Sequence, residues 1–280
     1  MTSILTNNSA MVALATLNNV NSELNKTQGR VSTGLQIQSS KDNAAYFAIS
    51  ETMQGDSGML QSINDGLTST KNSVATARLG AEEVADLAEQ FAERVAFAQG
   101  SGVKLENVQT ELDALVSQIG TAISQATFNG NNLVTGAATQ TIVSGVTRDS
   151  SGTFSATQMT FDSVDLSAIQ TGLAAINVVS ASTSTVPNAL RDTLTAAETQ
   201  LSAAISAATS LGVSEKKIEG QQSFLSSLTD TIDSGVSAMV DANMEEEAAR
   251  LQALQVQQQL ATQSLSMANS APQNVMSLFR

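Results

Sequence analysis

The chain of 280 residues has no cysteine, no histidine, no tryptophan, one tyrosine and two prolines. Each absence removes a class of chemistry. Without His and Cys there is no His-dependent triad, no imidazole or thiolate zinc site, no thiolate nucleophile and no iron–sulfur ligation. Disulfides are excluded too, so cysteine usage does not report the redox compartment. Aromatic residues make up 3% against 41% hydrophobic, so a core has to pack from Leu, Ile, Val, Met and Ala rather than from rings. With proline only at Pro187 and Pro272, long helices can run uninterrupted. Positive charge is scarce, 13 Lys and Arg against 26 Asp and Glu for a net charge of -13. Nucleic acid and anionic membrane surfaces are therefore poor partners. No basic residue precedes Lys26, which leaves the mildly apolar stretch 11–17 without the charged region of a cleaved secretory signal. No stretch is long and apolar enough to span a bilayer.

What dominates instead is a 3-4 spacing of apolar residues, the mark of a narrow helical seam. The first run is Ala10, Ala13, Leu17, Val20, Leu24, Thr27 and Val31. A second begins at Leu60, Ile63 and Leu67 and continues to Ala98; a third covers 105–126; a fourth follows Pro187, from Leu190 to Val236 with slips in register. The last is Val240, Met244, Glu247, Leu251, Leu254, Gln258, Ala261, Leu265 and Ala268. At 1.5 Å per residue the second run alone reaches roughly 60 Å, which predicts a mainly α, elongated rod or coiled-coil bundle. Gln99-Gly100-Ser101-Gly102 and Asn129-Gly130 mark the turns. Residues 136–186 are rich in Ser, Thr, Gly and Val, with short alternations at 141–143 and 158–161, and read as a small β-containing patch of hairpins and loops.

The two ends are unusual. Between residues 251 and 280 the only charged side chain is Arg280, and the polar positions are Gln252, Gln255, Gln257, Gln258, Gln259, Gln263 and several Ser. The first 40 residues carry only Glu23, Lys26 and Arg30. A solvated helix of such length normally bears many charges, so these segments suit burial against partner helices or a wet channel wall. Isolated helices are marginal, but two such segments can pair. Arg30, beside Gly29 and Gly34, suits a charge-assisted hydrogen bond that fixes a joint. Asp42 and Asn43 suit an N-cap. Glu245, Glu246 and Glu247 point in different directions on a helix and read as a solvated face, as do Glu82, Glu83, Asp86, Glu89 and Glu93. No catalytic group, metal site or cofactor is expected.

Several motifs resemble bacterial flagellin. At the start these are Ser3-Ile4-Leu5-Thr6-Asn7, Gln28-Gly29-Arg30-Val31-Ser32-Thr33-Gly34-Leu35 and Ser40-Lys41-Asp42-Asn43-Ala44-Ala45-Tyr46-Phe47-Ala48-Ile49. At the end they are Leu254-Gln255-Val256-Gln257-Gln258-Gln259-Leu260 and Ala271-Pro272-Gln273-Asn274-Val275-Met276-Ser277-Leu278-Phe279-Arg280, with Thr127-Phe128-Asn129-Gly130 between. The details are most similar to the compact flagellins of alphaproteobacteria. The resemblance implies paired terminal helices, 1–40 and 240–280, as a channel-lining inner domain (D0). It further implies a helical rod domain (D1) at 41–135 and 187–239, and a minimal outer region at 136–186. It implies a subunit interface at Leu17, Leu24, Arg30, Val31, Asp42, Asn43, Asp241, Leu251, Leu254, Leu265, Val275, Leu278 and Phe279. Gln252, Gln255, Gln259 and Gln263 are expected to face the lumen. The implied role is a secreted, non-enzymatic filament subunit for swimming motility. Its implied partners are other copies, the flagellar export apparatus, an export chaperone, the filament cap and hook–filament junction proteins. A hook–filament junction protein is the alternative. A metalloprotease insert would need H-E-x-x-H and is excluded by the lack of His. Two departures stand out. The stretch before the last helix has Ala238 and Asn243 where many flagellins have an Arg and an acid. Phe91 stands where flagellins active on the flagellin-sensing Toll-like receptor have an Arg, which implies weak recognition.

Overall fold

The computed structural model describes residues 7–149, 152–183 and 188–277, with the backbone alone for 271–277. In chain order the elements are α1 (Asn8–Thr33), α2 (Ala44–Ala98), α3 (Leu105–Gln125), β1 (Thr127–Phe128), β2 (Asn131–Asn132), β3 (Thr139–Arg148), β4 (Phe154–Asp162), α4 (Leu166–Ala174), α5 (Val178–Thr183), α6 (Ala189–Val240) and α7 (Met244–Ser277). They divide into two compact units, residues 1–55 with 231–280, and residues 56–230.

The larger unit is held by the 3-4 seams. Leu67, Val74, Ala81, Val84 and Val95 on α2 are buried, as are Val108, Leu112 and Ile119 on α3 and Ala204, Leu211, Ile218 and Leu225 on α6. Burying one Leu side chain fully stabilises by about 1.5–3 kcal/mol. Phe91 is completely buried. Its ring fills the core of this unit, as its place in the 3-4 run predicts. Beside the apolar seam runs a polar one. Arg78 Nε donates to Glu215 Oε2 at 2.7 Å, Lys71 pairs with Glu219, and Gln222 Nε2 donates to Thr68 Oγ1 at 2.7 Å, which orders α2 and α6 antiparallel. The acidic positions Glu82, Glu83, Asp86, Glu89 and Glu93 are exposed, as their spacing predicts.

Gly80 accounts for the close approach of α3: a Cβ there would lie 2.4 Å from Cβ of Ala126. The Asn129-Gly130 turn takes φ of 50° and 79° and joins β1 to β2, the left-handed pair that a tight hairpin needs.

Residues 136–186 do contain a hairpin, β3 paired antiparallel with β4 and irregular between Val143 and Gly145. It lies on α6, where Gln221 Nε2 donates to the Ser144 carbonyl at 2.7 Å and Lys217 Nζ to that of Thr160 at 3.0 Å. Arg148 holds it to α2 through both carboxylate oxygens of Asp56, Nε to Oδ2 at 2.8 Å and Nη2 to Oδ1 at 2.6 Å. The segment also contains α4 and α5, which its composition hides. Leu166, Ile169 and Leu173 bury one face of α4, and Asp165 caps it by accepting from the Ala168 amide.

Candidate functional site: the paired terminal helices

The smaller unit is built on α1 and α7. Their half-buried positions reproduce both seams except at Met244, which is exposed. Leu17, Leu24 and Val31 on α1 and Leu251, Leu254 and Leu265 on α7 are all half-buried, and Thr27 is buried. Three polar contacts fix the pairing as antiparallel. Asn7 Nδ2 donates to the Ala268 carbonyl at 2.7 Å, Gln258 Nε2 to Asn21 Oδ1 at 2.7 Å, and Arg30 Nη1 to Glu247 Oε1 at 3.2 Å.

Arg30 thus makes the charge-assisted bond its position predicts, but its partner is Glu247. Glu247 is 5% exposed, which corrects the reading of all three glutamates as a solvated face. Glu247 falls in the seam, whereas Glu245 and Glu246 are exposed. Arg250 lies 3.7 Å from Glu247 Oε1 and 3.0 Å from Glu246. Glu247 Oε2 has no hydrogen-bond partner.

The joint segments use short-range hydrogen bonds. Gly34 ends α1 at φ 75°, with its N–H bonded to the Arg30 carbonyl at 2.8 Å, the left-handed C-cap that glycine adopts without strain. Leu35 and Asp241 form an antiparallel bridge. It is flanked by bonds from the Gln36 amide to the Val240 carbonyl at 2.7 Å and from the Ala242 amide to the Gly34 carbonyl at 2.8 Å. Asp241 acts here through its backbone. Asn43 caps α2, its Oδ1 accepting from the amides of Ala45 and Tyr46. Asp42 is not the cap. It accepts from the Gln38 and Ser39 amides at 3.2 and 3.1 Å and from the Ser39 hydroxyl. These bonds, the one from Gln38 first, hold its carboxyl below the usual aspartate range. Asn243 caps α7 through the amides of Glu245 and Glu246, which gives this departure from the flagellin pattern a structural task.

Away from the seam α7 has two further faces. Gln252, Gln255, Gln259, Thr262, Gln263 and Ser266 are exposed along one side. A second apolar stripe follows the helical repeat on another. There Val256, Leu260 and Met267 are 54%, 59% and 64% exposed, and Ala249 and Ala253 are exposed with them. Of the remaining expected interface residues, the side chain of Val275 and the whole of Leu278 and Phe279 lie outside the described residues. No helix among the described residues is long and apolar enough to cross a membrane.

Residues 4–139 match the bacterial flagellin N-terminal helical region and residues 191–279 the bacterial flagellin C-terminal helical region. The chain belongs to the bacterial flagellin family. As a flagellin it is a structural subunit of the flagellar filament. It is 35% identical to a flagellin of Brucella melitensis over 281 residues, with all of both chains covered. It is 32% identical to flagellin C of Rhizobium meliloti, again with all of both chains covered. Flagellin FljM of Caulobacter vibrioides is 30% identical, with 100% of this chain and 99% of that one covered. Among solved structures, a chain assigned as a flagellar hook-associated protein of Vibrio parahaemolyticus superposes with TM-score 0.51 at 14% identity. The match covers 72% of this flagellin and 98% of that chain, and it is a likeness of fold.

Proposed function

We propose that copies of this chain polymerise through their terminal helix pairs into an extracellular flagellar filament, with no catalytic role. The observation that carries this reading is the outer stripe of α7. Val256, Leu260 and Met267 are each more than half exposed on a helix whose described part carries no charged side chain beyond Arg250. An isolated chain has no use for such a face, and a neighbouring copy would bury it. In this reading Leu17, Leu24, Val31, Leu251, Leu254 and Leu265 form the seam that builds the pair, and their exposed edges reach neighbours. Val275, Leu278 and Phe279 extend the contact. Arg30, Asp42, Asn43 and Asp241 hold the joint in the shape the contact needs.

Gln252, Gln255, Gln259 and Gln263 then face a central channel. A neutral polar wall holds a passing unfolded chain weakly, because water competes well for neutral hydrogen bonds. The three-part division of the chain follows the same reading, with 1–40 and 240–280 as D0, 41–135 and 187–239 as D1, and 136–186 as a minimal outer region. Export proceeds by the flagellar apparatus and a chaperone, and the finished filament meets cap and junction proteins. The test is seeded growth followed by electron microscopy. The purified chain is expected to extend fragments of its own filament. A chain lacking residues 271–280 is expected to keep its helical circular dichroism and extend none. Normal extension by the truncated chain contradicts the proposal.

A further inference from the structure

Apolar seams of 3-4 spacing are degenerate. Sliding one helix by a heptad again places apolar residues against apolar residues. The seam of α1 and α7 has this property. In one slipped arrangement Leu24 would meet Ala261, and in the other Leu17 would meet Leu254. What distinguishes the observed register is polar: Asn7 with Ala268, Asn21 with Gln258, and Arg30 with Glu247. Only the last pair is ionic, and among the described residues no other ion pair joins α1 to α7. A heptad slip in one direction sets Arg30 against Leu254, and in the other it sets Glu247 against Leu24. Either parts Glu247 from Arg30 and leaves it only the longer, 3.7 Å contact with Arg250 of its own helix.

We infer that Arg30 and Glu247 are the specificity-determining pair of the terminal helices, selecting one register from several of similar apolar fit. Their geometry is poorly suited to stabilisation. The Arg30–Glu247 bond is 3.2 Å long, and Oε2 of Glu247 is buried without a partner. A desolvated pair of this kind is often no more stable than apolar residues in its place. Its value is that every other register is worse. The inference rests on the proposed filament role, because a slip of one heptad moves the outer stripe of α7 by about 10 Å along its neighbour.

The chain contains no cysteine, so a disulfide reports the register directly. Asn21→Cys is combined in the full chain with Gln258→Cys for the observed register, or with Leu251→Cys or Leu265→Cys for the slipped ones. Taking the reporter from the Asn21–Gln258 contact removes that hydrogen bond and places the burden on Arg30 and Glu247. Bonds are scored on denaturing gels by links within one chain, before and after seeding, and filament growth is recorded separately. A failure of the filament reading therefore leaves the register readout intact. With Arg30 and Glu247 present, only the 21–258 link is expected. With Arg30→Met and Glu247→Leu together, the 21–251 or 21–265 link is expected to appear, reaching at least a tenth of the total. The swap of Arg30→Glu with Glu247→Arg is expected to restore the single link. Three results overturn the inference: a single 21–258 link in the apolar double variant, slipped links with the native pair present, or loss of every link in the apolar variant. The last would make the pair a source of stability rather than of register.

Discussion

The side chain of Asn7 joins the two ends of the chain: its Oδ1 accepts from the Ala10 amide at 3.1 Å while its Nδ2 donates to the Ala268 carbonyl at 2.7 Å. One residue caps α1 and pins it to the far part of α7. Replacing an N-cap by Ala costs about 1 kcal/mol. Asn7→Ala is therefore expected to speed amide exchange about fivefold across the first turn of α1. Asn7→Asp, which keeps the cap acceptor and loses the donor, should restore protection at Ala10 only. Equal exchange in all three proteins would show that the contact contributes nothing.

The turn of residues 38–42 is expected to respond to pH. The carboxyl of Asp42 is held below its ordinary value of 3.8, first by the Gln38 amide and then by Ser39. A depressed folded-state value means that the charged form contributes stability, fully present above the ordinary aspartate value and lost as pH falls through the lower one. Opening of this turn, followed by the amide signals of Gln38 and Ser39, should set in below pH 3.8. Asp42→Asn is expected to abolish that acid transition while keeping the turn partly formed at neutral pH. A transition centred above the ordinary value has the opposite sign and counts against the assignment.

Much of this was legible in the sequence, for a physical reason. The 3-4 seams were visible because a helix buries every third or fourth residue, and the half-buried positions of α1 and α7 are those seams. The Asn129-Gly130 turn and the strands around 141–143 and 158–161 follow from local chemistry in the same way. The partner of Arg30 was hidden because Glu247 is 217 positions away and sits among two exposed glutamates of identical type. Only its seam position, which Gln258 shares, separated it from them. The helices α4 and α5 were hidden by a Ser- and Thr-rich composition that favours loops. The burial of Phe91 is readable from its own 3-4 run, between Ala88 and Val95. The outer stripe of α7 was obscured because Val256, Leu260 and Met267 are diluted by glutamine.

Glycine positions in the larger unit make opposite predictions. A Cβ at Gly80 would lie 2.4 Å from Cβ of Ala126, whereas Gly58 and Gly66, also within α2, have nothing within 4 Å. Gly80→Ala is expected to destabilise by about 1–3 kcal/mol through overpacking. Gly66→Ala is expected to stabilise by roughly 0.5–1 kcal/mol, because alanine is the better helix former. Thermal melts of the unassembled chain by circular dichroism distinguish them. Melting shifts of the same sign for both would mean that the α2–α3 contact relaxes freely.

The account stands on the outer stripe of α7 being a contact between copies, with the glutamine face turned elsewhere. The most direct measurement is the rate of filament elongation from seeds, by electron microscopy, for the native chain, Leu260→Lys and Gln263→Lys. Both positions are exposed in the single chain, so both variants should fold with native helical content. Leu260→Lys is expected to reduce elongation at least a hundredfold, since it would bury an unpaired ammonium between copies. Gln263→Lys is expected to assemble from purified subunits at close to the native rate, and to shorten filaments only in cells, where chains must pass through the channel. Native elongation by Leu260→Lys, or loss of in vitro assembly by Gln263→Lys alone, would contradict the account.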